Sequence, residues 1–183
     1  LEFRRVLFRS HHMVIGGKDV GIGLAKGDTP LERNGYLTDL FGDEAVKTIQ
    51  APHDKPFFLS LHFNAPHWPW EGREDAAVAQ TLGSSYHFNG GNLAKYKEMV
   101  EAMDQNVAKI LAALDEAGKA DNTIIVFTSD NGGAWYNGIP NLNAPYRGWK
   151  ATFFEGGIHV PFLLRWPGQL PAGAVYQSPV GHV

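Results

Sequence analysis

Thr123-Ile-Ile-Val-Phe-Thr-Ser-Asp-Asn-Gly-Gly133 is an apolar, β-branched run that ends abruptly in a carboxylate, an amide and two glycines. Ile124, Ile125, Val126 and Phe127 show no polar alternation, which predicts a buried parallel strand covered on both faces. Full burial of such side chains contributes roughly 1.5–3 kcal/mol each, enough to fix the strand's register. In open α/β sheets, ligands bind beyond the carboxyl ends of the strands. Asp130 and Asn131 would deliver hard oxygen donors there, the kind that Ca²⁺ and Mg²⁺ prefer. Gly132 and Gly133 let the backbone turn away without a side chain over the site. The same four residues also read as a plain turn, since Asn-Gly is a common hairpin signal.

Upstream of this strand, Leu93, Tyr96, Met99, Val100, Met103, Val107, Ile110, Leu111 and Leu114 recur at three and four, with Gly118 as the stop. Met99 and Met103 on that stripe read as core filler. Helix, short loop and strand make half of a βαβ crossover, so the expected architecture is α/β, a three-layer sandwich with a mainly parallel central sheet. A shorter amphipathic helix is predicted from Leu37, Leu40, Phe41, Ala45, Val46 and Ile49, ending before Ala51-Pro52. Pro56 then introduces Phe57-Phe-Leu-Ser-Leu-His-Phe63, a strand that releases Asn64 and His67 at its end. If the strands run parallel, His67 shares a sheet edge with Asp130. Residues 11–33 read as Gly-rich loop in which His11-His12 has no role, and residues 71–92 as a surface excursion.

Six landmarks stand in order: Gly35-Tyr-Leu-Thr-Asp39, Pro56-Phe-Phe-Leu59, Ala65-Pro-His-Trp-Pro69, Thr128-Ser-Asp-Asn-Gly-Gly133, Arg147-Gly-Trp-Lys150, and Glu155-Gly-Gly-Ile-His-Val-Pro161 with Trp166-Pro-Gly168. Together they resemble the middle of a type I sulfatase of the alkaline phosphatase superfamily, over roughly residues 34 to 183. The resemblance implies hydrolysis of sulfate monoesters, with a small-molecule or carbohydrate sulfate ester as substrate. It implies that Asp130 and Asn131 ligate a divalent cation, calcium with magnesium as the alternative. It makes His67 a sulfate contact and proton donor and Lys150 a catalytic and sulfate-binding cation; Arg147, three residues before Lys150, is a further substrate-binding candidate by its own charge. A cation, an ammonium and a proton donor suit a sulfate ester, because charge shifts to the leaving oxygen as the S–O bond breaks. Imidazole, whose ordinary pKa lies near neutrality, suits the proton transfer.

Family members also carry an Asp-Asp pair and a Cys/Ser-x-Pro-x-Arg segment whose first residue becomes the formylglycine nucleophile. This chain contains no cysteine, no Asp-Asp and no Ser-x-Pro-x-Arg. The expectation is therefore a fragment, inactive by itself. Its nucleophile segment and carboxyl-terminal subdomain would lie outside it, and a formylglycine-generating or sulfatase-maturating enzyme would be a partner of the full-length protein. Leu1–Ser10 resembles a translated sequencing adapter, leaving 11–183 as a partial catalytic domain. The competing reading of residues 1–10 as a targeting peptide lacks an initiator Met and an apolar core. His159 departs from relatives that place Arg after Gly-Gly-Ile.

Each candidate keeps an ordinary alternative. His67 is also a histidine of a Pro-flanked surface loop, Lys150 a solvated lysine, and Arg147 the partner of some acid; Glu155 reads as a brace for its loop. Trp135, Tyr136, Trp68 and Trp70 either stack on a sugar or pack their loops down. Two other functions remain open: a phosphonate or phosphate ester hydrolase of the same superfamily, or a non-catalytic fragment that holds an anionic sugar.

Composition excludes other classes. Without residues 1–10, Lys plus Arg falls from 16 to 13 and Asp plus Glu from 19 to 18, so the formal charge goes from −3 to −5. That balance argues against a nucleic-acid partner. No apolar run is long enough for a membrane span. The absence of cysteine rules out a disulfide framework but fixes no compartment, and a periplasmic or secreted location follows from the resemblance alone.

Overall fold

The computed structural model describes residues 33–68, 70–75, 77, 92–135 and 138–181 in full. Of residues 1–32 it describes the backbone of five two-residue strands: β1 (Glu2–Phe3), β2 (Val14–Ile15), β3 (Lys18–Asp19), β4 (Ala25–Lys26) and β5 (Thr29–Pro30). β2 pairs antiparallel with β3, and β4 with β5. His11-His12, residues 78–91 and Tyr136 lie outside the described residues. The chain divides into two units, Leu1–Leu114 with Tyr136–Ile139, and Asp115–Trp135 with Pro140–Val183.

In the first unit, helix α1 (Leu37–Gln50) forms where the periodicity predicts. Phe41, Ala45 and Ile49, four apart, bury one face. It stops at Ala51, whose extended backbone suits a residue before proline. Strand β6 follows at Phe57–Phe58, parallel to β1 with Glu2 opposite Phe57. It is shorter than the expected 57–63. Beyond it Leu59 and Leu61 border a crevice with Phe41 and Ala45, while Ser60 and His62 bond to each other at 2.8 Å. Alternation marks which face of an extended segment is covered, but a ladder also needs a neighbouring backbone. Helix α2 (Leu93–Glu116) buries Met99, Ala102, Asn106, Ala113 and Leu114. Gly118 ends it with φ +65°, its N–H donating to the Asp115 carbonyl at 3.0 Å.

Met99 packs with Ala65, Trp68 and Trp70, flanked by Tyr96, Met103 and Ile139. Trp70 meets Trp68 and Tyr96 edge-on at 4.8 and 5.1 Å, a favourable arrangement of ring quadrupoles. Its indole N–H donates to the Pro66 carbonyl at 3.1 Å. Arg73 clamps this unit with a bidentate pair to Asp39 at 2.7 and 2.8 Å, and the buried Asn106 donates to the same carboxylate at 2.7 Å.

In the second unit, one 3₁₀ turn (Ala120–Asn122) leads into strand β7 (Ile125–Thr128). Helix α3 (Glu155–Ile158) precedes strand β8 (Phe162–Arg165). β7 and β8 pair antiparallel, with Val126 opposite Leu164. The expectation of a parallel strand covered on both faces fails at this pair. Ile125 and Phe127 are half-buried, whereas Ile124 and Val126 are 55% and 53% exposed. Apolar side chains on both faces say nothing about the direction of the strand alongside. No helix among the described residues is long and apolar enough to cross a membrane.

Candidate active site

Just past β7, the chain is pinned by its own polar groups. Ser129 Oγ donates to the Asn131 carbonyl at 3.0 Å, and Asn131 Nδ2 donates to Asp130 Oδ1 at 2.7 Å, so the two side chains lie together. Gly132 N–H donates to the Gly157 carbonyl at 3.0 Å. A Cβ on Gly132 would overlap the Gly156 carbonyl oxygen, so only glycine permits this approach. Gly133 is held by Asn143: its N–H donates to Asn143 Oδ1 at 2.8 Å and its carbonyl accepts from Asn143 Nδ2 at 2.9 Å. That carbonyl also accepts from the backbone N–H of Lys150 at 3.0 Å. Both of its lone pairs are used.

The second arm is the loop 147–152. Asn143 Nδ2 reaches Gly148 O at 3.1 Å, and the Arg147 carbonyl accepts from Gly156 N–H at 2.7 Å. Thr152 Oγ1 accepts from Trp149 N–H at 3.1 Å and donates to Trp149 O at 2.7 Å. The Arg147 guanidinium lies 4.0 Å over the Phe154 ring. Such stacking uses the face of the guanidinium and not its N–H edge. Lys150 is half-buried.

The structure thus brings Asp130, Asn131, Arg147 and Lys150 into one hydrogen-bonded loop cluster. His67 belongs to the other unit. Its backbone N–H donates to Asn64 O at 2.7 Å, and its exposed ring donates Nδ1–H to the Trp68 carbonyl at 2.6 Å. A carbonyl only accepts, so this contact places a proton on Nδ1. Trp68 and Trp70, at 7% and 3% exposure, pack the core beneath this histidine and do not present faces to a sugar. Trp135 and Trp149 are 66% and 44% exposed, with centroids 6.4 Å apart. Glu155 Oε2 meets His159 Nδ1 at 3.1 Å, and the His159 ring lies 4.3 Å from that of Tyr146. Glu155 thus pairs with the residue that caps its own short helix.

Sequence reasoning missed Asn143, which joins both arms. It lies in a Pro- and aromatic-rich loop, and a side chain that bonds distant backbone leaves no periodic trace. Among the described residues no three His, Cys, Asp or Glu converge on one point. Asp130 and Asn131 fit a hard cation in chemistry as part of its shell, which holds about six to eight oxygens for calcium.

The solved structures that this chain resembles include sulfatases, whose architecture is the alkaline phosphatase-like α/β fold. The Sulfatase family model matches residues 12–183, and the chain belongs to that family. It is 36% identical over 141 residues to the uncharacterized sulfatase YdeN of Escherichia coli K12, covering 76% of this chain and 24% of that protein. It is 38% identical over 144 residues to N-acetylgalactosamine-6-sulfatase of Mus musculus, covering 76% and 25%. The crystal structure of Ps i-CgsB in complex with k-i-k-neocarrahexaose superposes with a TM-score of 0.70 at 36% identity, covering 86% of this chain and 34% of that one. The chain therefore spans about a quarter of the length of these curated relatives. Members of the family generally carry a divalent cation and a formylglycine nucleophile.

Proposed function

We propose that this chain is part of a sulfatase that hydrolyses sulfate monoesters of carbohydrates, exported from the cell, with residues 1–10 outside its catalytic domain. The observation that carries this reading is the Asn143 clamp, which ties Asp130-Asn131-Gly132-Gly133 to Arg147-Gly-Trp-Lys150. Lys150 and Arg147 supply positive charge for the sulfate oxygens, Lys150 as a compact ammonium and Arg147 as a planar fork. His67, with Nδ1–H on the Trp68 carbonyl, gives the proton on Nε2 to the departing alcohol oxygen and so prevents a free alkoxide from forming. Asp130 and Asn131 would be two of the ligands of a Ca²⁺, with Mg²⁺ as the alternative; such a cation stabilises negative charge at the reacting ester. The formylglycine nucleophile and the enzyme that makes it belong to the full-length protein. Sugar esters are favoured by the likeness to a galactosamine-6-sulfatase and to a protein crystallised with a neocarrahexaose.

The test is sulfate release by the full-length gene product from sulfated oligosaccharides, against phosphate release from the matching phosphate esters. Lys150→Ala should lower kcat/KM by about 10²–10³, the usual cost of losing one charge-stabilising donor. His67→Gln should lower kcat by about 10²–10⁴ on alkyl sulfates, and much less on 4-nitrophenyl sulfate, whose leaving group needs no proton. Faster phosphate than sulfate release would assign the site to phosphate esters. A wild-type protein that binds sulfated sugar yet releases nothing would be a binding protein.

A further inference from the structure

We infer that Trp135 and Trp149 form an aromatic platform for the pyranose ring that carries, or adjoins, the sulfate ester; this rests on the sulfatase reading above. The Gly133 carbonyl and the Lys150 N–H meet at 3.0 Å. Trp149 is one residue before Lys150 and Trp135 two residues after Gly133, so both rings spring from the bond that fixes the cationic arm. Their planes are inclined at 57° with centroids 6.4 Å apart, so the two rings form one tilted pair. The three tryptophans singled out by sequence, Trp68, Trp70 and Trp135, sort cleanly by exposure, and Trp149 falls with Trp135. Trp68 and Trp70 are spent on packing, while Trp135 and Trp149 keep most or nearly half of their surface at the solvent. Thr152 bonds to both the N–H and the carbonyl of Trp149, fixing its backbone.

The chemistry selects the occupant. An indole offers an apolar face and one N–H donor, which matches a sugar's patch of C–H bonds edged by hydroxyls. A polycyclic apolar ester would call for an enclosed apolar slot, whereas these two rings stand 66% and 44% exposed. The platform acts on the sugar and leaves the sulfate to Lys150 and Arg147.

The experiment uses the full-length gene product and has two arms. In the kinetic arm, Trp135→Ala and Trp149→Ala should each raise KM for a sulfated oligosaccharide about tenfold, a loss of ~1.4 kcal/mol, with kcat changed far less. Trp→Phe at either position should recover most of the loss. In the binding arm, calorimetric titration with the same oligosaccharide after desulfation should show weak binding that either Ala variant abolishes; a melting curve for each variant confirms that it is folded. Variants whose KM and binding both stay within twofold of wild type overturn the platform. So does a wild type that binds polycyclic sulfates better than sugars. A wild type that releases no sulfate overturns the sulfatase reading instead, and the binding arm still decides the platform.

Discussion

At the scale of single residues, the arms that carry Asp130, Asn131 and Lys150 depend on a side chain that does no chemistry. Asn143 pairs with Gly133 as a second peptide group would, then spends its remaining donor on Gly148. Asn143→Ala leaves these backbone groups to find other partners, at about 1–3 kcal/mol for each that stays buried and unpaired. The expected result in the full-length protein is a lower melting temperature. With it comes a fall in kcat/KM of about 10², the effect of a misplacement near 1 Å. Asn143→Asp keeps the shape and the acceptor for Gly133 N–H but loses both donated bonds, so it should rescue little. A full rescue by Asp would show that the donated bonds are unimportant. Asp130 and Asn131 could be picked out from the sequence because hard donors after an apolar run suggest a chemistry, whereas Lys150 stood out only through the resemblance of Arg147-Gly-Trp-Lys150 to a family motif. Asn143 could not, since an asparagine amid prolines has the same signature whether it clamps two loops or faces water. Trp68 and Trp135 were likewise indistinguishable as letters; burial separated them.

At the scale of elements, the two long helices were legible almost to their ends, while the short helix α3 and the strands were not. α1 and α2 carry stripes at three and four and stop at a pre-proline residue and at a glycine, all local signals. The direction and extent of β6 and β7 depend on which backbone lies alongside, which no local pattern encodes. What holds the elements of the first unit together is also non-local. Arg73 and Asn106 both bond to Asp39 on α1. The Arg73 hydrogen bond, helped by Asn106 and by nearby positive charge, holds the Asp39 carboxyl below its usual value, although partial burial opposes this. A folded pKa below the unfolded one stabilises the fold above the unfolded value, and that contribution is lost as pH falls through the folded value. Asp39→Asn should therefore lower the melting temperature at neutral pH, with the gap to wild type closing below about pH 4, where the unfolded carboxyl titrates. The gap should also narrow in high salt, because the pair is partly exposed. A gap independent of pH between 2 and 7, as a guide, would assign the loss to packing and not to charge.

At the scale of the whole molecule, the α/β class was legible while the completeness of its layers was not. The β7–β8 pair exposes one continuous apolar face: Val126 and Leu164 lie opposite each other at 53% and 52% exposure, with Ile124 beside them at 55%. Contiguous apolar surface of this kind on a sheet drives association, because each residue covered recovers part of its transfer free energy. Two short strands also leave unpaired backbone edges to pair with another copy. Opposing association is a formal charge of only −3 over 183 residues, a weak source of repulsion. The 183-residue chain by itself should therefore bind a dye such as anilinonaphthalene sulfonate, sediment as a mixture of species, and melt without a sharp transition. Val126→Thr with Leu164→Thr keeps β-branching at position 126 and introduces it at 164, so strand propensity survives while the apolar face is interrupted. The double variant should bind less dye and sediment closer to a monomer, and its far-ultraviolet circular dichroism should not change. A wild-type chain that sediments as one monomer, melts cooperatively and leaves the dye dark would mean that this face is covered in solution.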